Sequence, residues 1–138
     1  MFHRILIPLA FSDENEAAVK VGIDFATRDG SEVLLLHVVE TIRGIPFEEM
    51  RDFYERLERR AEAELAKAAE RFRALEVPVK TDVVFGARAE QIVTYAQERG
   101  ADLIVLSSHP ASPDQPTSLG TISHRVALFA SCPVLLVK

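Results

Sequence analysis

Four consecutive apolar residues, Leu103-Ile104-Val105-Leu106, run directly into Ser107-Ser108-His109-Pro110. A short run with no polar residue on either face, ended by turn residues, reads as a strand buried on both sides, as in a parallel sheet. A polar loop follows, and Gly120-Thr121 open an amphipathic stretch. Strand, loop and helix in that order make the junction where open α/β sheets place their ligand crevice. Small residues at a helix start leave backbone N–H groups unpaired at the positive end of the dipole, which suits an anion.

The same unit recurs along the chain. Phe2 to Ile7 ends at Pro8 and reads as a first strand. Ser12 or Asp13 can cap a helix carrying Glu14 and Glu16 in its first turn and Ala18, Val21 and Phe25 on its core face, closed by Asp29-Gly30. Glu32 to Val39 is a second buried strand. Phe47, Met50, Tyr54, Leu57, Ala61, Leu65, Ala68, Phe72 and Leu75 recur at steps of three and four, one face of a long helix. Its basic residues are matched by acids, Glu55 with Arg59 for example, so the outer face is a solvated one.

Val77, Val79, Thr81, Val83 and Phe85 alternate as in a half-exposed strand, and Pro78 within it points to a sheet edge. Gly86 ends that strand, and Ala89, Ile92, Val93 and Ala96 form a helix face closed by Gly100. After the fourth strand, Leu119, Ile122, Val126 and Phe129 line a last helix, which Ser131-Cys132-Pro133 break before a final strand, Val134 to Val137. Strands alternating with helices predict an α/β fold: a doubly wound parallel sheet of five strands, helices on both faces and right-handed crossovers. The last strand is apolar and falls at an edge, which invites pairing with the same strand of a second copy across a two-fold axis. Val134, Leu135, Leu136 and Val137 are therefore the expected homodimer interface.

A chain of 138 residues fits one domain spanning 1–138, and 48% hydrophobic with 27% charged residues excludes a disordered chain. A net charge of -5 gives no general attraction to nucleic acid, and no apolar run nears bilayer length. Met1 to Arg4 lead straight into a strand without signal-peptide character, and the single Cys132 fits a reducing compartment, so a cytoplasmic protein is expected. His3, His37, His109 and His124 lack metal-ligand spacing, and no metal site is expected. His37, inside a strand, reads as a hydrogen-bonded core residue. Ser108-His109 are sequence neighbours with no acid to orient the imidazole, a weak basis for a nucleophile and base. Walker A, dinucleotide-glycine and nucleophile-elbow patterns are absent, so the residues assemble no obvious enzyme.

Arg4-Ile5-Leu6-Ile7-Pro8 with Phe11-Ser12, Leu36-His37-Val38-Val39, Gly86 to Ile92, Ala101 to Val105, and Cys132 to Val137 stand in one order along the whole chain. In these segments the sequence resembles the universal stress proteins. The resemblance implies the strand order 3-2-1-4-5 of the adenine-nucleotide-hydrolase-like folds, with a crevice between strands one and four.

It also implies a place for ATP, beside Pro8, Val38, Ser108, Gly120, Thr121 and Ser123. Members that bind ATP carry a glycine, two residues, a second glycine, nine residues, then glycine with Ser or Thr. Here Ser107 and Pro110 replace the first two glycines, and only Gly120-Thr121 match. Proline fixes φ and removes an N–H, Asp114 brings negative charge, and Ala10 stands where binding members have an aspartate. The expectation is a homodimeric stress-response module with unknown protein partners and weak or no ATP binding. The alternative is an adenine-nucleotide switch.

Overall fold

The computed structural model describes residues 1–12, 15–108 and 122–138. Its strands are β1 (Arg4–Pro8), β2 (Glu32–Glu40), β3 (Val79–Gly86), β4 (Leu103–Ser107) and β5 (Val134–Val137). They form one parallel sheet in the order β3-β2-β1-β4-β5. Between them lie α1 (Asn15–Asp29), α2 (Arg51–Arg73), α3 (Arg88–Arg99) and α4 (Ile122–Phe129). The strand order is the expected one.

Side chains that alternate along a strand point to opposite faces, so each continuously apolar strand feeds two cores. Ile5, Ile7, Val33, Leu35, Leu103 and Val105 are buried against α1 and α2. Leu6, Leu34, Leu36, Ile104 and Leu106 are buried against α3 and α4. Burying each such side chain contributes about 1.5–3 kcal/mol, so the sheet is where most of the stabilisation lies.

Several helix faces differ from the periodicity reading. On α1 the buried residues are Ala18, Val19, Gly22 and Ala26, while Val21 and Phe25 pack only partly against that core. Phe25 sits on the shoulder, its ring edge-on to Phe2 with centroids 5.7 Å apart. Phe47 precedes α2 in a short 3-10 turn, Phe47–Met50. Leu75 lies past the end of α2 and is exposed, because the chain turns away through Glu76 at φ 60°. Glu55 pairs with Arg51, one turn earlier, rather than with Arg59.

On α4 the core contacts step by four, through Ile122, Val126 and Ala130, which rotates Phe129 off the core to 70% exposure. Pro78 precedes β3 instead of lying within it, and its carbonyl accepts the Val33 N–H at 2.8 Å. β3 is nonetheless an edge strand, as expected. Asp13, Glu14, Leu119 and the Pro110 to Pro116 segment lie outside the described residues.

Candidate functional site at the ends of β1 and β4

Strand order reverses between β1 and β4, whose paired residues run from Ile5 with Leu103 to Leu6 with Ile104, and such a switch point is where open α/β sheets place a ligand. On the β1 side the chain leaves Pro8 through Leu9, Ala10, Phe11 and Ser12. Leu9 is still tied to the sheet, its N–H donating to the Leu36 carbonyl at 2.8 Å. Phe11 has φ 61°, a conformation a large side chain rarely adopts. Its ring stacks on the His37 imidazole, centroids 4.4 Å apart and planes 23° from parallel.

His37 is half-buried, not part of the core proper. Its Nδ1 lies 2.7 Å from the Leu9 carbonyl. A carbonyl only accepts, so Nδ1 carries the proton. Burial, with a smaller contribution from the Arg88 charge, pushes the imidazole pKa below its ordinary value against the opposing effect of the Leu9 bond.

Asn15, the first residue of α1, links the two segments. Its Oδ1 accepts the Ala10 N–H at 2.7 Å and the Ser12 N–H at 3.4 Å, while its Nδ2 donates to Ser107 Oγ at 3.1 Å. On the β4 side, the Ser108 N–H donates to the Val137 carbonyl at 2.8 Å. Ser108 Oγ and Ser123 Oγ are 3.2 Å apart.

Of the residues the sequence nominated, Ser108 and Ser123 are therefore brought together across the β4–α4 junction. Pro8 is buried at the end of β1. The Val38 side chain is buried in the α3-side core. Gly120, Thr121 and His109 lie outside the described residues. Sequence reasoning missed Asn15. An Asn at a helix start is a legible local signal, but its bond to Ser107, 92 residues on, depends on the sheet order.

A cleft of about 530 Å3 opens beside the same loop, between α1 and α2, and Phe11, Ser12 and Asn15 are among its lining residues. Leu9, Phe11, Val19 and Ala68 form its apolar part, and among the described residues none of the lining comes from β2 or β4. Glu16 and Glu64 offset Lys67 and Arg71 there, so it has no net pull on an anion. Arg71 bonds Glu16 at 2.8 Å and holds that carboxyl below its ordinary pKa. Among the described residues no three His, Cys, Asp or Glu side chains gather as a metal site would require.

The chain matches the model of the Universal stress protein family over residues 1–138. A universal stress protein of Thermus aquaticus, from the QAH/OAS sulfhydrylase 3′ region, is 33% identical over 142 residues, covering 100% of each chain. Among solved structures, that of MJ0577 from Methanocaldococcus jannaschii has a TM-score of 0.86 at 30% identity, over 100% of this chain and 96% of that one. A universal stress protein in complex with cAMP, 21% identical, has a TM-score of 0.75 over 99% of this chain and 97% of its own, a likeness of fold. The strand order and the full-length match lead to one conclusion: this chain belongs to the universal stress protein family.

Proposed function

We propose that this protein is a cytoplasmic, homodimeric regulatory or interaction module of the stress response that binds ATP weakly or not at all. The observation that carries the reading is the β5 side of the molecule. Val134 to Val137 form an edge strand with only half-buried side chains, and Leu128 and Phe129, shortly before it, are 65% and 70% exposed. An unpaired apolar edge next to exposed large apolar side chains is the kind of surface that a second chain covers.

The weak-binding half of the reading is supported by the residues at the crevice. Ser107 and Pro110 stand where binding members have glycines, and Ala10 where they have an aspartate. A second reading, an adenine-nucleotide switch using Pro8, Val38, Ser108, Gly120, Thr121 and Ser123, draws on the cAMP complex of the 21% identical neighbour. That neighbour is like this chain in fold alone, so the residues of this chain carry more weight.

Two measurements test the proposal. Sedimentation equilibrium should give twice the mass of one chain, and a monomer at tens of micromolar would overturn the dimer. Calorimetric titration of nucleotide-free protein with Mg-ATP should stay flat into the millimolar range. Micromolar affinity would replace this reading with the switch.

A further inference from the structure

We propose that the outer face of α2 is a docking surface for an acidic protein segment, held by Arg56, Arg59 and Arg60 beside Phe53. This rests on the reading above of an interaction module and names the chemistry of a partner. Residues three and four apart on a helix share a face. α2 buries Tyr54, Ala61, Leu65, Ala69 and Phe72. Phe53, Arg56, Arg59, Arg60, Ala63 and Lys67 are exposed along the opposite side.

Acids and bases balance along α2 as a whole, but not on this face. The carboxylates one turn away from these arginines are engaged elsewhere. Glu55, one turn before Arg59, pairs with Arg51 at 3.6 Å, and Glu64, one turn after Arg60, pairs with Lys67 at 3.5 Å. Asp52 and Glu62, the exposed acids nearby, pair with none of the three. Among the described residues, Arg56, Arg59 and Arg60 have no ion pair and no side-chain hydrogen bond.

From Arg56 to Arg60 the helix axis advances about 6 Å, a span that suits a pair of neighbouring carboxylates. Each guanidinium can hold a carboxylate through two N–H···O bonds. Phe53, one turn before Arg56 and 41% exposed, offers an apolar contact beside those acids. Ala63, one turn beyond Arg59 and Arg60, leaves room for a chain to lie close to the helix. Arginine clusters of this kind recognise acidic motifs. Nucleic acid fits less well, because its affinity grows with the number of phosphates neutralised along a track. Here the patch is short, Asp52 and Glu62 border it, and the chain carries a net charge of -5.

The test is fluorescence anisotropy with the full chain and a labelled peptide rich in Asp and Glu around a central Leu. The wild type should bind this peptide and should not bind the same peptide with Asn and Gln in place of the acids. Binding should weaken as salt is raised. Changing Arg56→Gln, Arg59→Gln and Arg60→Gln together should weaken it about tenfold or more, and each change alone about two- to threefold, as exposed charge contacts do. Lys20→Gln removes an exposed cation from α1 and should leave binding unchanged.

The three arginines are exposed and unpaired, so the triple variant should melt with the wild type, which separates lost binding from lost fold. Should it fail to fold, the single changes decide the question. No binding by the wild type, equal binding by the triple variant, or tighter binding of a single-stranded oligonucleotide of equal charge would each overturn the surface. Sedimentation and the Mg-ATP titration judge the module reading without involving this face of α2, so either can fail alone.

Discussion

His37 shows how one residue can be anchored and yet stay sensitive to acid. Its Nδ1–H is committed to the Leu9 carbonyl and its ring is covered by Phe11. Burial lowers its pKa in the folded chain below the value of about 6.5 that an unfolded histidine has. The unfolded state then binds more protons just below that pH, so stability rises with pH in this window. The contribution is complete above about pH 6.5 and is lost as pH falls through the folded value.

Magnetic resonance titration of the His37 ring should therefore give a midpoint below the ordinary histidine value of about 6.5. A midpoint above it would mean that the Leu9 bond outweighs burial. His37→Phe keeps a ring under Phe11 and removes the titrating group, so its melting temperature should vary less between mildly acidic and neutral pH. It also leaves the Leu9 carbonyl without this partner, and the net cost at neutral pH and above should be about 1 kcal/mol.

Among elements, α1 packs closely on β1 at Gly22. A Cβ placed on Gly22 would come 2.3 Å from Ile7 Cδ1, and Ile7 is fully buried, with little room to yield. Alanine is the better helix former by about 1 kcal/mol, but overpacking of a filled core costs about 1–3 kcal/mol. Gly22→Ala should therefore destabilise the protein in urea, by up to about 2 kcal/mol. Adding Ile7→Val, which removes the offending methyl, should recover much of that loss. If the double variant is as unstable as the two single changes added together, the clash is not the cause.

The existence and order of the elements were legible in the sequence because short apolar strands and periodic helices each carry a local signal. The exact faces were less so. Phe129 fits a helical pattern with Val126, but contacts stepping through Val126 and Ala130 turn it outward. Leu75 continues the α2 rhythm in its spacing, while a turn at Glu76 has already ended the helix. Within the site, Ser108 and Ser123 could be nominated from the family resemblance. The partnership of Asn15 with Ser107 could not, because it arises only when two distant segments become neighbours.

At the scale of the whole molecule, the two edges of the sheet are unlike. β3 presents exposed Lys80 and Thr81, and its Lys80 and Asp82 are engaged with Glu32 and Arg99. β5 presents only Val134, Leu135, Leu136 and Val137. A charge on β5 should therefore separate the proposed pair without unfolding either chain. Leu135→Lys is expected to sediment as a monomer, though Leu135 also packs on the α1–α2 core and some stability will be lost. Leu128→Glu, on a residue 65% exposed, should weaken the pair at no cost to the fold. A dimer that survives both changes would place the contact elsewhere.

The unlike edges also bear on how far assembly can go. A sheet with two bare apolar edges could add chain after chain and grow into a filament. Here charged side chains lie along β3, so in the proposed pair the joining of β5 to β5 would use up the apolar edge at the first encounter. In the proposed dimer this would cap the stoichiometry at two and let the protein be concentrated without polymerising along its sheet.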